Sequence, residues 1–468
     1  MRIISGLNKG KKLIMPNDKI TRPLKDLAKE SIFNILTHAN YINFHLEDSK
    51  VLDLFSGIGS FGLECISRGS NFVFFLENYP PVLEILKTNI SNLKYENKSK
   101  VLNIDAFKIN NNFFRIDLGI VSPDMFQYEN QYRQANRSYG ELIKINSYQT
   151  SDYKGILEGW YKESPIIVDA LITYPEGEGP FPLLLIVHSS GGADEFTANW
   201  LEFMRDQQKP LLDMGIATMY LDNFSARGAK HTYTDQSKAS IWSTYIDVFM
   251  ALEYLSKDPK INIKKVGVSG YSRGGNLSIM AAEKRLRDIL VSKDLYFAAS
   301  QPRSAECGIS GMFRNPTPVK ETKIWYVHGL AEDYTLPGPC VDIMEKMQAK
   351  GADIRIDLRE GWYHLFTGNY EPEIEKRTQY FWKCPNFYTE DDGNPNKEFF
   401  DLILKNTKIK SLDEFNELSR KNPRKAFKTM FKGLKKENCI GKGVTEGGNH
   451  GKTFMPEYLA FWKENLLN

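Results

Sequence analysis

The sequence has little of what marks several classes of protein. Five of its 468 residues are cysteines, and no two of them form a CxxC pair. Neither a zinc site nor a redox dithiol is therefore indicated, and we expect reduced cysteines that act mostly as packing residues. No run approaches the roughly 18 apolar residues of a membrane span, and the N-terminal MRIISGLNKGKK has no apolar signal core. A cytoplasmic location without membrane contact is the expectation.

No charge of one sign dominates the chain either. Lysine and arginine total 61 and aspartate and glutamate total 58, which excludes a protein that coats nucleic acid along its whole length. Basic residues are concentrated before residue 50, where they form either a solvated surface or a weak contact for RNA. These basic residues are Arg2, Lys9, Lys11, Lys12, Lys19, Arg22, Lys25 and Lys29.

The first recognisable motif along the chain is a glycine-rich loop at residues 57–62. Asp53 lies at the end of the predicted strand, before the loop, and the GxGxxG pattern of residues 57–62 opens the helical segment that follows. Glycines let backbone approach a ligand, and a second acid, Glu77, ends the next predicted strand. There a carboxylate can accept hydrogen bonds from both hydroxyls of a ribose. The pattern predicts a nucleoside-containing cofactor; the alternative is that Asp53 is a helix cap or turn residue.

Three segments around this loop carry a family resemblance. MRIISG, Thr21-Arg22-Pro23 and VLDLFSGIGSFGLECISRG resemble the small bacterial ribosomal-RNA guanine methyltransferases that use S-adenosylmethionine. The resemblance covers about residues 1–110 and implies a truncated Rossmann-like class I methyltransferase module. It also implies that the basic N-terminal segment contacts RNA. The residues that it places around S-adenosylmethionine are Asp53, Gly57, Gly59, Glu77 and Asp105.

This module departs from the family where the target amine should bind. Those enzymes carry an Asn/Asp-Pro-Pro-aromatic turn after the fourth strand, and the nearest match here is Ser122-Pro123-Asp124. The later strands of that fold are missing as well, so the first strand loses a neighbour and becomes an edge. We expect that the module can bind its cofactor and that it does not transfer a methyl group.

The rest of the chain alternates strands and helices, which predicts a mostly parallel sheet with helices on both faces. The clearest strands are Leu183–His188, Ile216–Leu221, Lys265–Ser269, Lys323–His328 and Ile354–Leu358. Lys265–Ser269 runs into Gly270-Tyr271-Ser272-Arg273-Gly274, a G-x-S-x-G pattern that precedes a good helix. This arrangement is typical of a nucleophile elbow, with Ser272 as the nucleophile.

A serine nucleophile needs a base and an orienting acid. After a nucleophile elbow, the acid comes next along the chain and the histidine comes last. His364 comes after the last predicted strand and is the candidate base; His450 lies in a glycine-rich loop and fits a surface role. Glu332 and Asp333 compete as the acid in the loop after Lys323–His328. Glu332 has the more usual spacing and Asp333 the more usual residue type, and Asp333 is slightly preferred.

Two backbone amides should stabilise the oxyanion. Arg273 follows the nucleophile, and Ser190 lies in the small-residue loop His188-Ser189-Ser190-Gly191-Gly192. We expect His188 itself to hold this loop in place rather than to act as a base.

These motifs together resemble the dienelactone hydrolase family of the α/β-hydrolase fold over about residues 118–468. The resemblance implies hydrolysis of an ester, thioester or lactone without a metal or organic cofactor. Ser272 replaces the cysteine of the namesake enzymes, and His188-Ser189 replaces the usual His-Gly. Arg227 and Arg303 are candidates to bind a substrate carboxylate. The motifs that carry the resemblance are HSSGG, LDNFSARG, TDQS, GYSRGG, GLAEDYTLPGPC and WYHLF.

We therefore predict a methyltransferase-like module at 1–112, a junction at 113–150 and a hydrolase at 151–468, with an insertion at 385–439. In that insertion, Glu390-Asp391-Asp392-Gly393 is expected to be a solvated turn rather than a calcium site. Two other functions stay open: chiefly an RNA methyltransferase, or a noncatalytic module that binds RNA or S-adenosylmethionine joined to the hydrolase. The two parts could also be neighbouring coding sequences that were joined.

Overall fold

The computed structural model describes residues 1–16, 26–38, 46, 49–103, 140–196 and 202–468. The chain divides into two compact units, Met1–Gln127 and Tyr128–Asn468. The division falls within residues 113–150, the stretch predicted to be a junction. Asp105 and the Ser122-Pro123-Asp124 segment lie outside the described residues.

The N-terminal unit is built on three parallel strands in the order β1-β2-β3. The pattern of strand, glycine loop and helix expected from the sequence is present, and in the described part of this unit β1 pairs with β2 alone. Its elements are β1 (Lys50–Asp53), β2 (Phe72–Leu76), β3 (Ser99–Leu102), α1 (Asp26–His38), α2 (Ser60–Ser67) and α3 (Pro80–Asn92).

One residue of the basic N-terminal segment is not on the surface. Lys29 is fully buried, and its ammonium group lies 3.6 Å from the buried carboxylate of Glu64. Glu64 also accepts hydrogen bonds from the amides of Ile4 and Ser5 at 2.7 and 2.9 Å. A buried carboxylate needs such partners, so Lys29 stabilises the packing of the N-terminal residues and does not contribute to an RNA-facing surface.

The second unit contains an eight-stranded sheet in the order β12-β11-β9-β8-β6-β7-β5-β4. The β4–β5 and β5–β7 pairs are antiparallel and the remaining pairs are parallel, which confirms the predicted mostly parallel sheet. The strands of this unit are β4 (Glu141–Tyr148), β5 (Pro165–Thr173), β6 (Phe181–Val187), β7 (Ala217–Asp222), β8 (Ile261–Tyr271), β9 (Ala299–Arg303), β10 (Met312–Phe313), β11 (Lys323–Gly329), β12 (Ile354–Arg359), β13 (Glu373–Tyr380), β14 (Tyr388–Thr389) and β15 (Gly441–Glu446).

Helices cover both faces of this sheet. Along β6, Leu183 and Leu185 belong to one hydrophobic core and Leu184 and Ile186 to another, because successive side chains of a strand point to opposite faces. The helices of this unit are α4 (Tyr153–Leu157), α5 (Glu202–Asp206), α6 (Gln208–Asp213), α7 (Ile241–Leu255), α8 (Arg273–Met280), α9 (Lys284–Leu290), α10 (Pro337–Ala349), α11 (Lys397–Asn406), α12 (Leu412–Lys421), α13 (Pro423–Glu437) and α14 (Gly451–Trp462). Within the described ranges, no helix combines the length and apolar character that a membrane span requires.

The predicted insertion consists of β14 and the three helices α11, α12 and α13, placed between the antiparallel strands β13 and β15. A disulfide between Cys384 and Cys439 closes its base, and a second disulfide joins Cys307 to Cys340. The expectation of reduced cysteines was therefore wrong for four of the five, while Cys65 is free and buried. The paired residues are 33 and 55 positions apart, and it is the folded chain that brings them together.

Candidate active site

Ser272 occupies a sharp turn between β8 and the first residue of α8. Its φ of 54° and ψ of −117° lie in a region that side-chain-bearing residues rarely adopt. The flanking glycines explain the G-x-S-x-G spacing. A Cβ on Gly270 would lie 2.5 Å from the backbone of Gly274, and one on Gly274 would lie 2.5 Å from the carbonyl oxygen of Val187. The strand and helix therefore pass too closely for any other residue at these two positions.

His364 and Glu332 form a buried pair near this turn. Nδ1 of His364 lies 2.9 Å from Oε2 of Glu332. The neighbouring acid points elsewhere: Asp333 accepts hydrogen bonds from the amide and hydroxyl of Thr445 at 2.8 and 2.7 Å. The slight preference for Asp333 is corrected on this geometry, because its carboxylate is engaged at a different strand.

The charge state of Glu332 is set by its neighbours. Burial alone would raise its pKa, but the imidazoles of His328 and His364 beside it lower the pKa well below the usual range. Thr335 also donates its hydroxyl proton to the carboxylate. The acid is consequently ionised and can hold the Nδ1–H of His364, which leaves Nε2 of that ring as a base.

A glutamate that no sequence motif singles out organises the predicted oxyanion loop. Glu195 accepts hydrogen bonds from the amides of Ser189 and Gly191 at 2.6 and 2.8 Å, and from the Ser189 hydroxyl. Ser190 lies between these two amides, and its side chain accepts a hydrogen bond from Gln236 at 2.8 Å. Its backbone N–H lies outside the Glu195 network, as a donor to a developing oxyanion must.

The second predicted donor is the backbone amide of Arg273, which is the first residue of α8. Amides in the first turn of a helix have no partner within the helix, and the helix dipole there favours negative charge. The Arg273 side chain turns away into the protein, where it donates to the side chain of Gln236 and the carbonyl of Ala239 at 3.1 and 2.8 Å. Burial lowers the pKa of this guanidinium to about 10. Its role at the site is thus limited to its backbone.

The two arginines predicted to bind a substrate carboxylate are both buried structural residues. The guanidinium of Arg227 forms two hydrogen bonds with Asp247 at 2.7 and 3.0 Å and another with the carbonyl of Asn223. Arg303 lies 5.0 to 5.4 Å from the rings of Phe203, Tyr271 and Tyr458 and donates to Ser269. These assignments are corrected because neither side chain lines the cavity at Ser272.

The other conspicuous histidines have structural roles. Nε2 of His188 accepts a hydrogen bond from the amide of Asn223 at 3.0 Å, so the proton is on Nδ1, which lies 2.8 Å from the carbonyl oxygen of Ser189. Burial lowers the pKa of His188, which keeps it neutral. His450 stacks on Trp362 with ring centroids 4.5 Å apart. The expectation that His188 holds its loop agrees with these contacts.

A cavity of about 360 Å³ opens at Ser272 and His364. Its wall includes side chains from β13 and β15 that sequence reasoning did not single out, because their strands pair only in the folded chain. Arg377 pairs with Glu375 at 2.9 Å. Burial, and then repulsion from Glu375 and Glu373, raise the pKa of Glu446 to about 7. The wall also includes Tyr233, Tyr334, Tyr370, Glu373 and Thr378.

The acidic turn of the insertion is occupied by ion pairs. Glu390 lies 2.8 Å from Arg314, and Asp391 lies 3.1 Å from Arg285. Asp392 accepts hydrogen bonds from Asn394. Across the described ranges, no group of three or more histidine, cysteine or acidic side chains is arranged to hold a metal ion.

The glycine loop of the N-terminal unit forms a second candidate site. Asp53 accepts a hydrogen bond from the amide of Gly62 at 3.0 Å, and Glu77 accepts one from Gly57 at 2.8 Å. Gly57 and Gly59 have φ values of 54° and 84°, which glycine adopts without strain. Burial raises the pKa of Asp53 to about 6. Two carboxylates at the ends of adjacent strands, beside a loop with open backbone, fit a nucleoside cofactor.

A mostly parallel sheet, a serine on a strained strand-to-helix turn and a histidine–carboxylate pair after later strands define an α/β-hydrolase. Residues 168–385 match the dienelactone hydrolase family. Residues 1–115 match the family described as conserved hypothetical protein 95. The two units of the chain therefore resemble two different families.

Individual proteins are similar to parts of this chain. The ribosomal RNA small subunit methyltransferase D of Haemophilus influenzae is 35% identical over 26% of this chain and 63% of its own length. The Escherichia coli protein of the same name is 34% identical over 23% of this chain. This chain spans only 63% and 50% of those two relatives. An esterase structure from Thermogutta terrifontis is 13% identical over 47% of this chain and 84% of its own, with a TM-score of 0.33.

Proposed function

We propose that the second unit is a serine hydrolase that cleaves a carboxylic ester, thioester or lactone through an acyl-enzyme. The observation that supports this most is the 2.9 Å contact between Nδ1 of His364 and the carboxylate of Glu332. The His364 ring lines the same cavity as Ser272. A buried, ionised acid on one side of an imidazole gives the other ring nitrogen the basicity that a serine nucleophile requires.

In the proposed reaction, Nε2 of His364 takes the proton of the Ser272 hydroxyl as its oxygen attacks the acyl carbon. The amides of Ser190 and Arg273 donate hydrogen bonds to the oxyanion that forms. His364 then gives its proton to the departing oxygen or sulfur, and the acyl group stays on Ser272. A water molecule, deprotonated by the same ring, attacks the acyl carbon; the bond to Ser272 breaks, the acid leaves, and His364 returns the proton to the Ser272 oxygen. Glu332 stays ionised and stabilises the imidazolium in both halves.

The charges around the cavity bear on the substrate. Arg227 and Arg303 are committed elsewhere, and Arg377 is held by Glu375. Arg377 is the cation among the described residues that line this cavity, and it is paired with Glu375, so we propose a substrate that places no carboxylate there. The two disulfides weigh against the cytoplasmic location expected from the sequence, because cytosolic thiols are normally kept reduced.

The full-length protein should hydrolyse p-nitrophenyl acetate and should react with a fluorophosphonate probe. Ser272→Ala should lose both properties. Ser269→Ala is a matched control, because Ser269 is a buried serine of β8, the strand that leads to Ser272, and its hydroxyl contacts Gln301. Equal labelling of Ser272→Ala and the wild type would show that another residue is the nucleophile.

For the N-terminal unit we propose S-adenosylmethionine binding without methyl transfer. The arrangement of Asp53, Glu77 and the left-handed glycines supports a cofactor site. Asp105 would be a further contact, and it lies outside the described residues. The target-binding turn of the family has no counterpart in the sequence, so an amine could not be held in line with the methyl group. Weak RNA contact through the basic segment stays a proposal.

A further inference from the structure

Two cavities of very different size meet at Ser272. The larger, of about 360 Å³, is lined by Ser272 and His364. The smaller, of about 40 Å³, lies against Ser272, Ser190 and Arg273. Of the described residues, Ser272, Ser190 and Tyr334 contribute to both walls, whereas His364 contributes to the larger one.

The position of His364 assigns a role to each cavity. The imidazole must protonate the departing oxygen, so the leaving group lies on its side of the tetrahedral intermediate. The larger cavity therefore holds the alcohol. The smaller cavity lies beside Ser190 and Arg273, the proposed oxyanion donors, and holds the acyl chain that stays attached to the acyl carbon.

We propose that the enzyme is selective for esters of short acyl groups. This inference rests on the proposed function. The acyl cavity measures about 40 Å³ and the leaving-group cavity about 360 Å³, so the acyl side offers much the smaller space. The leaving-group cavity lies within the range of roughly 300 to 1,000 Å³ that small-molecule sites usually have.

Aromatic side chains from the insertion set the limit on acyl length. Phe427 and Phe431 project from α13, with ring centroids 5.1 Å apart, and Phe381 lies 5.8 Å from Phe431. All three line the acyl cavity. The insertion is tied to the rest of the unit by the disulfide between Cys384 and Cys439, so these rings cannot withdraw easily. A longer acyl chain would have to displace packed aromatic side chains.

The test measures kcat/KM of the full-length protein for p-nitrophenyl acetate, propionate, butyrate and hexanoate, which share one leaving group. We expect the value to fall about 10-fold or more between propionate and hexanoate. Phe431→Ala should raise the ratio of hexanoate to acetate turnover by about 10-fold. Phe431→Leu is a milder variant with the same expected direction. Phe415→Ala is the matched control, since its ring packs on Phe400 within the insertion and lines neither cavity.

The outcomes separate this inference from the function on which it rests. A wild type that hydrolyses hexanoate as well as acetate would overturn the short-acyl proposal while leaving the serine hydrolase intact. The short-acyl proposal would also be overturned if both Phe431 variants are folded and active but keep the wild-type ratio of hexanoate to acetate turnover. A wild type that neither hydrolyses any ester nor reacts with the fluorophosphonate would instead refute the proposed function, and the selectivity with it.

Discussion

The Glu332 carboxylate lies 2.9 Å from Nδ1 of His364, whereas the carboxylate of the next residue, Asp333, accepts two hydrogen bonds from Thr445. Two adjacent acids thus serve different purposes. Glu332 is buried with the imidazole, while Asp333 ties the acid loop to β15 at the edge of the site.

Replacement of each acid by its amide should separate the two. Glu332→Gln should lower kcat by roughly 100- to 10,000-fold, because a neutral amide cannot stabilise the imidazolium and favours the wrong tautomer. Asp333→Asn should stay within about threefold of the wild type, since an amide oxygen can still accept a hydrogen bond from Thr445. Steady-state kinetics with p-nitrophenyl acetate checks this. Equal effects of the two substitutions would place the acid elsewhere.

The nucleophile and the base could be predicted from the sequence because local patterns specify them. Gly270 and Gly274 stand two residues before and after Ser272, and the close approach of backbone there admits no side chain, so the motif can be recognised in the sequence. The sequence pattern could not decide between Glu332 and Asp333, because the side chains of two adjacent loop residues can point in opposite directions.

Other features of the site depend on contacts between distant segments. Glu195 is recognisable as the residue that organises the oxyanion loop only once the loop has folded back on it. The disulfide partners, and the glutamates of β13 and β15, meet across 33 or more residues of sequence. The pairing of Arg227 with Asp247, which lies 20 residues further along on α7, is likewise visible only in the folded chain.

Arg227 should affect stability and not substrate recognition. Arg227→Met leaves the Asp247 carboxylate buried without its counterion, which should lower the free energy of unfolding by about 3 to 5 kcal/mol. The double variant Arg227→Met, Asp247→Asn should recover part of the loss, because no buried charge then remains. Urea denaturation measures both changes. A large rise in KM with unchanged stability would restore the carboxylate-binding role.

The four paired cysteines make a chemical prediction. Denatured without a reductant, the protein should expose one reactive thiol per chain, Cys65, and after reduction it should expose five. Cys384→Ser, Cys439→Ser should lower the free energy of unfolding by about 3 to 4 kcal/mol, since the unfolded chain gains conformational freedom. Cys65→Ala, with both disulfides intact, is the control. Five thiols in the unreduced protein would refute the pairing.

Glu446 should make stability fall as the pH rises through its folded titration. Its pKa is about 7 in the folded protein and roughly 4.3 when unfolded, so the folded state holds the extra proton between these values. The stabilisation is complete below about pH 4.3 and is lost by pH 7. Glu446→Gln cannot lose a proton, so its Tm relative to the wild type should rise from pH 5 to pH 7.5.

The last prediction concerns the N-terminal unit, where a cofactor site and a catalytic site are separable. Isothermal titration of the full-length protein with S-adenosylmethionine should show binding. Asp53→Ala should weaken it by about 10-fold or more, because the carboxylate lies at the end of β1 beside the glycine loop. Lys100→Ala, on β3, serves as a control away from that loop.

The same protein, incubated with tritiated S-adenosylmethionine and unmethylated small-subunit ribosomal RNA, should transfer no label. Methyl transfer needs an amine held in line with the methyl group, and such positioning supplies several kcal/mol of the barrier in enzymes of every class. In the Ser122-Pro123-Asp124 segment, Ser122 stands where the family has an acid or amide, and Asp124 stands where it has the second proline. Stoichiometric labelling of the RNA that Asp53→Ala abolishes would contradict this prediction and establish methyl transfer as a second activity.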